Sequence, residues 1–343
     1  MQRAALLVAL LLLGCTRFSG ERSSEPQPWL AWQSPLGHED PLVGRVWDTR
    51  ERRFVSPDAV AERAAASDFA LLGEKHDNPD HHRLQAWLIE SVARAGRKPA
   101  VVLEMIPADR EPELAAAIAA HPGDPDAIAA ALDWAHGGWP DFALYRPIFA
   151  AALAARLPLA AGDLPRAELA KLRRGGLAEI PSDERARLAL DPPPSEEARR
   201  AFAEEVREAH CGIAPDAMVD AMIDAQRARD ATLASVMLSA GARDGALLIA
   251  GAGHVRRDRG VPLYLARRAP GRSVLALAFS EVQRGAGEAG ENPETRAARA
   301  GTEFDLVWFT PRVDDQDPCE RFRDELERLR RPASPARVDS PSG

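Results

Sequence analysis

Short apolar runs bounded by Gly, Pro or charge recur along the chain, with longer stretches of helical pattern between them. They are Phe69–Leu72, Ala100–Leu103, Leu157–Ala161, Ala246–Ile249 and Ser273–Leu277, with a last one at Phe304–Phe309. Each of the first four leads into a stretch with helical spacing. Runs too short for a buried helix, alternating with amphipathic stretches, argue for βα units. The pattern predicts an α/β fold: a mostly parallel sheet flanked by helices.

From about 165 to 242 the strand-like runs cease, and the region is expected to form an inserted helical subdomain. Asp191-Pro-Pro-Pro194 breaks it, Ser195-Glu-Glu197 has the form of a capped helix start, and Ala217–Ser239 predicts one long helix. The apolar stripe of that helix runs through Val219, Met222, Ile223, Leu233 and Met237. Gln226 and Asp230 lie in the same stripe and Arg229 lies beside it. Polar groups there need partners, because an unpaired buried one costs about 1–3 kcal/mol. Two readings stand: an internal ion pair with a neighbouring segment, or a helix that closes over the sheet edge and points all three into a site. Residues 283–302, rich in Gly, Glu and Ala, are expected to form a surface loop. A polar tail over 321–343 is expected to be disordered from Pro332.

The N-terminus sets an expectation about compartment. Arg3 precedes an apolar stretch, Ala4–Leu13, which is too short to cross a bilayer core of about 30 Å, since that takes roughly 20 helical residues. It has the length of a signal-peptide core. It ends in Leu12-Leu13-Gly14-Cys15, which resembles a lipoprotein signal-peptidase box. Residues 1–14 are therefore expected to be a signal peptide, Cys15 the acylated residue, 15–31 a lipidated tether and 32–320 the body. One acyl chain anchors weakly, and lipoproteins of this pattern carry several, palmitate among them. Thr16 in place of Asp implies an outer-membrane anchor facing the periplasm of the cell envelope. The competing reading is a plain secretory peptide with an incidental cysteine.

The net charge of −8 comes without a basic block and argues against a nucleic-acid partner. Cys211 and Cys319 are the remaining cysteines. An oxidising compartment permits them to pair, but their distance in space is open at this stage.

The chemistry concentrates where strands are expected to end. Phe69–Leu72 leads into Gly73-Glu74-Lys75-His76, Ala100–Leu103 into Glu104, Leu157–Ala161 into Gly162-Asp163, and Ala246–Ile249 into Gly251-Ala252-Gly253-His254. In an open parallel sheet ligands bind outside the carboxyl ends of the strands, so these residues should meet at one edge. For Asp163, ahead of a Pro165-started helix, a capping role is favoured. For Glu74, His76, Glu104 and His254 together, function is favoured. In the helix expected from Pro79, the stripe of Leu84, Trp87, Leu88 and Val92 places His81 on the buried side and turns His82 away, which argues against a vicinal metal pair. The segment Trp134–Phe149 is dense in aromatic residues in a chain that is only 6% aromatic, and it holds Tyr145, one of two tyrosines. It is either core or a flat wall for a planar cofactor, with Tyr145 or His136 as axial ligand.

These motifs also carry a resemblance. Leu71-Leu-Gly-Glu-Lys-His-Asp-Asn-Pro-Asp-His-His-Arg-Leu-Gln85, Gly138-Trp-Pro140, Tyr145-Arg-Pro-Ile148, His210-Cys-Gly212, Gln226-Arg-Ala-Arg-Asp230 and Gly251-Ala-Gly-His254 resemble the ChaN family of iron-regulated, haem-binding lipoproteins. The resemblance runs from about 40 to 320, and the lipobox agrees with it independently. It implies a two-part α/β fold, a homodimer around stacked haems, and a link to iron acquisition. Haem ligation in the family is through tyrosine, which makes Tyr145 the first candidate, ahead of Tyr264 and His136. The family is similar to the TraB/Tiki and erythromycin-esterase group, whose Gly-Glu-x-His and Gly-x-x-His motifs correspond to Gly73–His76 and Gly251–His254. That group includes metal-dependent peptidases and metal-free hydrolases. The alternative to haem binding is thus an envelope hydrolase with Glu74, His76, Glu104, Asp230 and His254 as catalytic residues. Glu104 is its general base if burial raises its pKa. In a metal-dependent version His76, His254 and Glu74 hold a divalent ion, a mixed N/O set suited to Zn, Mn or Fe. A third reading is a partner-binding protein that kept only the fold.

Overall fold

A computed structural model describes residues 27–284, 293–299 and 303–321. Its strands are β1 (Val46–Asp48), β2 (Arg53–Val55), β3 (Phe69–Glu74), β4 (Ala100–Pro107), β5 (Leu159–Asp163), β6 (Ala246–Gly251), β7 (Val274–Glu281) and β8 (Leu306–Thr310). They form a single sheet in the order β2-β1-β8-β7-β3-β6-β4-β5. All contacts among β3 to β8 are parallel, and β1 runs antiparallel to β2 and β8. The fold is α/β.

The central strands are apolar on both faces because helices cover both. Alternate residues feed two cores: Leu72, Leu103 and Ile249 on one side, Leu71, Val102 and Leu248 on the other. The first side is closed by the helices Pro79–Arg94 and Phe142–Ala154, through Leu84, Leu88 and Ile89 and through Tyr145, Ile148 and Phe149. The second is closed by the helices Asp216–Ala240 and Val261–Arg268.

Between β5 and β6 the described elements are all helical: Arg166–Gly175, Gly176–Glu179, Ser182–Arg187, Glu196–Ala209 and Asp216–Ala240. The Ser195 side chain accepts from Ala198 N and caps Glu196–Ala209, which explains where that helix starts. The long helix serves two layers. Val219 and Ile223 pack with Ala203 and Ala214 of the helical region, whereas Ala228 to Met237 pack on the sheet.

Several expectations need correction. The short strands β1 and β2 were not anticipated. Glu104 does not end its strand but lies inside β4, followed by buried Met105 and Ile106, where the pairing with β5 shifts register. At the end of the stretch expected to be a tether, Pro28–Leu30 form a turn of 3-10 helix with Pro28 buried and the Trp29 ring 4.7 Å from Trp87. Within the expected surface loop, Pro293–Ala298 is a helix that buries Ala297. Cys15 and the tail from Pro332 lie outside the described residues. Among the described residues, no helix is long and apolar enough to cross a membrane. Cys211 and Cys319 form a disulfide, their Cα atoms 5.8 Å apart.

Candidate functional site

The parallel register brings the site together. Glu74 pairs with Gly251, and Leu103 pairs with Ile249 two residues earlier, so Glu74, Glu104 and the turn after Gly251 stand level at the carboxyl ends of three adjacent strands. Gly73 is required by that turn, because a Cβ there would stand 2.4 Å from Val255 Cγ2 and 3.0 Å from Ala252 Cα. Asp163 ends β5 at the same edge. The long helix supplies the third side, with Gln226, Arg229 and Asp230 all turned toward the strand ends. The geometry combines the two sequence readings of this helix: it lies over the sheet edge, and there Arg229 and Asp230 pair with Glu104, Asp163 and His254.

Glu104 is buried and fully engaged. Its Oε1 receives Arg229 Nη2 at 2.6 Å and faces His254 Nε2 at 3.1 Å, and its Oε2 accepts from Gly251 N at 2.7 Å. Arg229 also grips Asp163 with two hydrogen bonds, of 2.8 and 2.9 Å, a bidentate geometry that fixes both groups. Asp163 is therefore more than a helix cap. On its other side the His254 ring contacts Asp230 through Nδ1 at 2.6 Å, with the Gln226 amide 3.0 Å away. A protonated Nδ1 has no lone pair to receive an amide N–H, so the Gln226 group facing it is assigned as the oxygen.

A second cluster surrounds Glu74, which is also buried. Tyr145 donates its hydroxyl to Oε1 at 2.9 Å, and His76 Nδ1 lies 3.0 Å from the same oxygen. His82 Nε2 stands 3.1 Å from Oε2 but without the alignment of a hydrogen bond. His81 belongs to neither cluster. Its Nδ1 accepts from Lys75 N and its Nε2 meets Thr310 Oγ1, both at 2.9 Å. Burial and the neighbouring His82 push its pKa down to about 3. His82 was missed by the sequence reading. The helix Pro79–Arg94 is covered at its start on two sides, by the sheet edge and by the segment whose Gln33 and Ser34 amides bind Asp80, so a single-stripe phase could not place both histidines.

These contacts decide which groups can do chemistry. Burial opposes the charge on Glu104, but His254, Arg229 and His76 outweigh it and hold its pKa well below the ordinary range. Glu104 is thus a permanent anion with three donors, not the general base expected from burial alone. Burial likewise opposes the charge on Glu74, and His82 and His76 keep it ionised. Burial also opposes the charge on His254, and Glu104 and Asp230 outweigh it, raising the ring to about 10. Asp230 is pushed up by burial to about 6, against the pull of His254 and Arg229. His76 remains. Burial lowers its pKa, and the Glu74 bond together with the charge of Glu104 raises it by more. Its side chain is 39% exposed, it abuts Trp139 edge to face at 4.9 Å, and its Nε2 has no hydrogen-bond partner among the described residues.

The expected metal set does not fit this arrangement. Both ring nitrogens of His254 are engaged by carboxylates, Nε2 by Glu104 and Nδ1 by Asp230. Among the described residues no group of three or more His, Cys, Asp or Glu is arranged to hold a metal ion. The charge state has a direct test. A group whose folded pKa lies above its unfolded value of 6.5 stabilises the fold fully below that value, and the contribution fades as pH rises through about 10. Nitrogen-15 spectra of the imidazoles should therefore find His254 doubly protonated at pH 8. A neutral ring at pH 7 would refute the assignment.

The haem-ligand candidates fare unevenly. Tyr145 is fully buried against Trp134 and His82, its phenol given to Glu74, and burial beside that carboxylate drives its pKa far up. Tyr264 is 1% exposed in the second core, pushed up by burial to about 12. Neither phenol is free to meet a cofactor at the surface. His136 is open to solvent, its Nδ1 2.7 Å from Asp133. The aromatic segment is mostly core, with Trp134, Phe142 and Phe149 in mutual edge contacts, while Tyr145 reaches the strand ends through Glu74 and Trp139 through His76.

Residues 60–265 match the family model described as haem-binding uptake, Tiki superfamily, ChaN. The chain belongs to the ChaN family. This ChaN-family chain is also similar in fold to the solved structure of ChaN of Campylobacter jejuni with cofacial heme. There the TM-score is 0.60 at 18% identity, covering 77% of this chain and 95% of that one. It further matches the type III effector HopBA1, with TM-score 0.42 at 14% identity over 75% and 93% of the two chains. A variant of the erythromycin esterase EreC in its open conformation gives TM-score 0.38 at 15% identity over 80% and 83%. No curated protein sequence matches the chain.

Proposed function

We propose that this protein is a lipid-anchored envelope protein that binds haem and serves haem or iron acquisition. Membership of the ChaN family across residues 60–265 is the observation that carries the haem reading. The C. jejuni relative is described with cofacial heme, and we extend to this chain a homodimer around a stacked pair. The Leu12-Leu13-Gly14-Cys15 box supports acylation at Cys15 with palmitate-type chains, and Thr16 supports the outer membrane. The Cys211–Cys319 bridge suits an oxidising compartment such as the periplasm. Haemin titration of the body from Gln27 onward tests the first claim: saturable binding at a fixed stoichiometry is expected, and non-saturating uptake would refute it. Cys15→Ser should release the protein from the membrane fraction, and retention there would contradict the anchor.

A second reading, hydrolysis in the envelope, has one specific observation in its favour. His76 backs onto ionised Glu74 through Nδ1 and has a free Nε2, a layout suited to accepting a proton from water or a hydroxyl. In that reading His254 and Arg229 stand ready to stabilise developing negative charge. Turnover of an ester or amide panel by wild type, lost in His76→Ala, would favour it over haem carriage.

A further inference from the structure

We infer that His76, rather than a tyrosine, is the side chain that binds iron when this protein holds haem. The inference rests on the haem reading above and on a disagreement within the site. Tyrosine ligation needs an accessible phenol that ionises readily. The chain has two tyrosines, both inside the cores, and the Tyr145 hydroxyl donates to the Glu74 carboxylate at 2.9 Å. Ionising it would set an anion against an anion in a buried pocket.

The other donors narrow quickly. Cys211 and Cys319 are bonded to each other. His81, His82 and His254 are buried. His38 and His210 each spend a ring nitrogen on a backbone carbonyl of their own local turn. His136 has a carboxylate behind it, but at 82% side-chain exposure it has no wall for a porphyrin to lie against, and His121 is likewise exposed, at the end of the helix Glu111–Ala120.

His76 combines what an iron-binding imidazole requires. Its Nδ1 faces the buried Glu74 carboxylate at 3.0 Å, which fixes the tautomer with the lone pair on Nε2 and raises the basicity of that nitrogen. Its Nε2 has no partner among the described residues, and its half-exposed ring abuts Trp139. Gly251 lets the backbone lie against the ring, since a Cβ there would stand 3.1 Å from both Cε1 and Nε2. The carboxylate behind the ring is itself held by Tyr145, so the tyrosine supports the ligand from behind.

Resonance Raman spectroscopy of the haemin-loaded body tests this without reference to any activity. Ferrous wild type should show an iron–histidine stretch, and the ferric form should lack iron–tyrosinate bands. The stretch should vanish in His76→Gly and in His76→Gln, return when imidazole is added to His76→Gly, and persist in Tyr145→Phe. Tyrosinate bands in wild type, or a stretch unchanged in both His76 variants, would overturn the inference and leave haem binding standing. Failure of wild type to bind haemin saturably would remove the haem reading and this inference together.

Discussion

Replacing Glu104 with alanine is expected to cost about 3–5 kcal/mol of folding stability at neutral pH, the usual range for removing one partner of a buried charge pair. The carboxylate is 2% exposed and joins three separate elements: the long helix through Arg229, the turn after β6 through Gly251 N, and His254. Its loss leaves the buried His254 and the partly exposed Arg229 with Asp230 and Asp163 as their paired carboxylates among the described residues. His254 should then lose much of its raised pKa, because Glu104 is the first of the charges that raise it. Urea unfolding reads the stability and imidazole spectra read the charge. A cost under about 1 kcal/mol, the scale of an exposed ion pair, would mean that the network is more solvated than its burial indicates. Glu104→Ala combined with His254→Ala should cost less than the sum of the two single changes, since the second removes a charge the first left unpaired.

Breaking the Cys211–Cys319 bridge is the second large effect. The two residues are 108 positions apart, and closing so long a loop restricts the unfolded chain, with a typical worth of about 2–4 kcal/mol. The bridge ties the end of the helix Glu196–Ala209 to the segment Pro318–Arg321. Cys211→Ser with Cys319→Ser should therefore lower the urea midpoint while leaving haemin affinity within about twofold, a change of under 0.5 kcal/mol. A stable double variant would contradict the first expectation, and a large loss of haemin affinity would contradict the second.

The strand pattern was legible because buried parallel strands are nearly continuous apolar runs. β3, β4, β6 and β7 begin within a residue of where the runs begin. The edge strands β1 and β2 are three residues each and carry no such run. Glu74, Glu104, His254 and Asp163 were legible as a group because the register of a parallel sheet places strand ends side by side. Their roles were not. Whether a buried carboxylate becomes a base or a permanent anion depends on how many donors converge on it, and Arg229 and Gly251 N come from elements far away in the sequence. Tyr145 shows the same limit. Its motif marks it for function, but only the packing of Phe142–Ala154 against the helix Pro79–Arg94 reveals that the phenol faces Glu74 and not a cofactor.

The most direct test of this account is a haemin titration of the Tyr145→Phe, Tyr264→Phe variant beside the wild type, followed in the Soret region. A haem protein that does not ligate iron through tyrosine should bind saturably in both, with the same spectrum and affinities within about threefold, a difference of under 1 kcal/mol. Saturable binding by wild type that collapses in the variant, with circular dichroism unchanged, would contradict it.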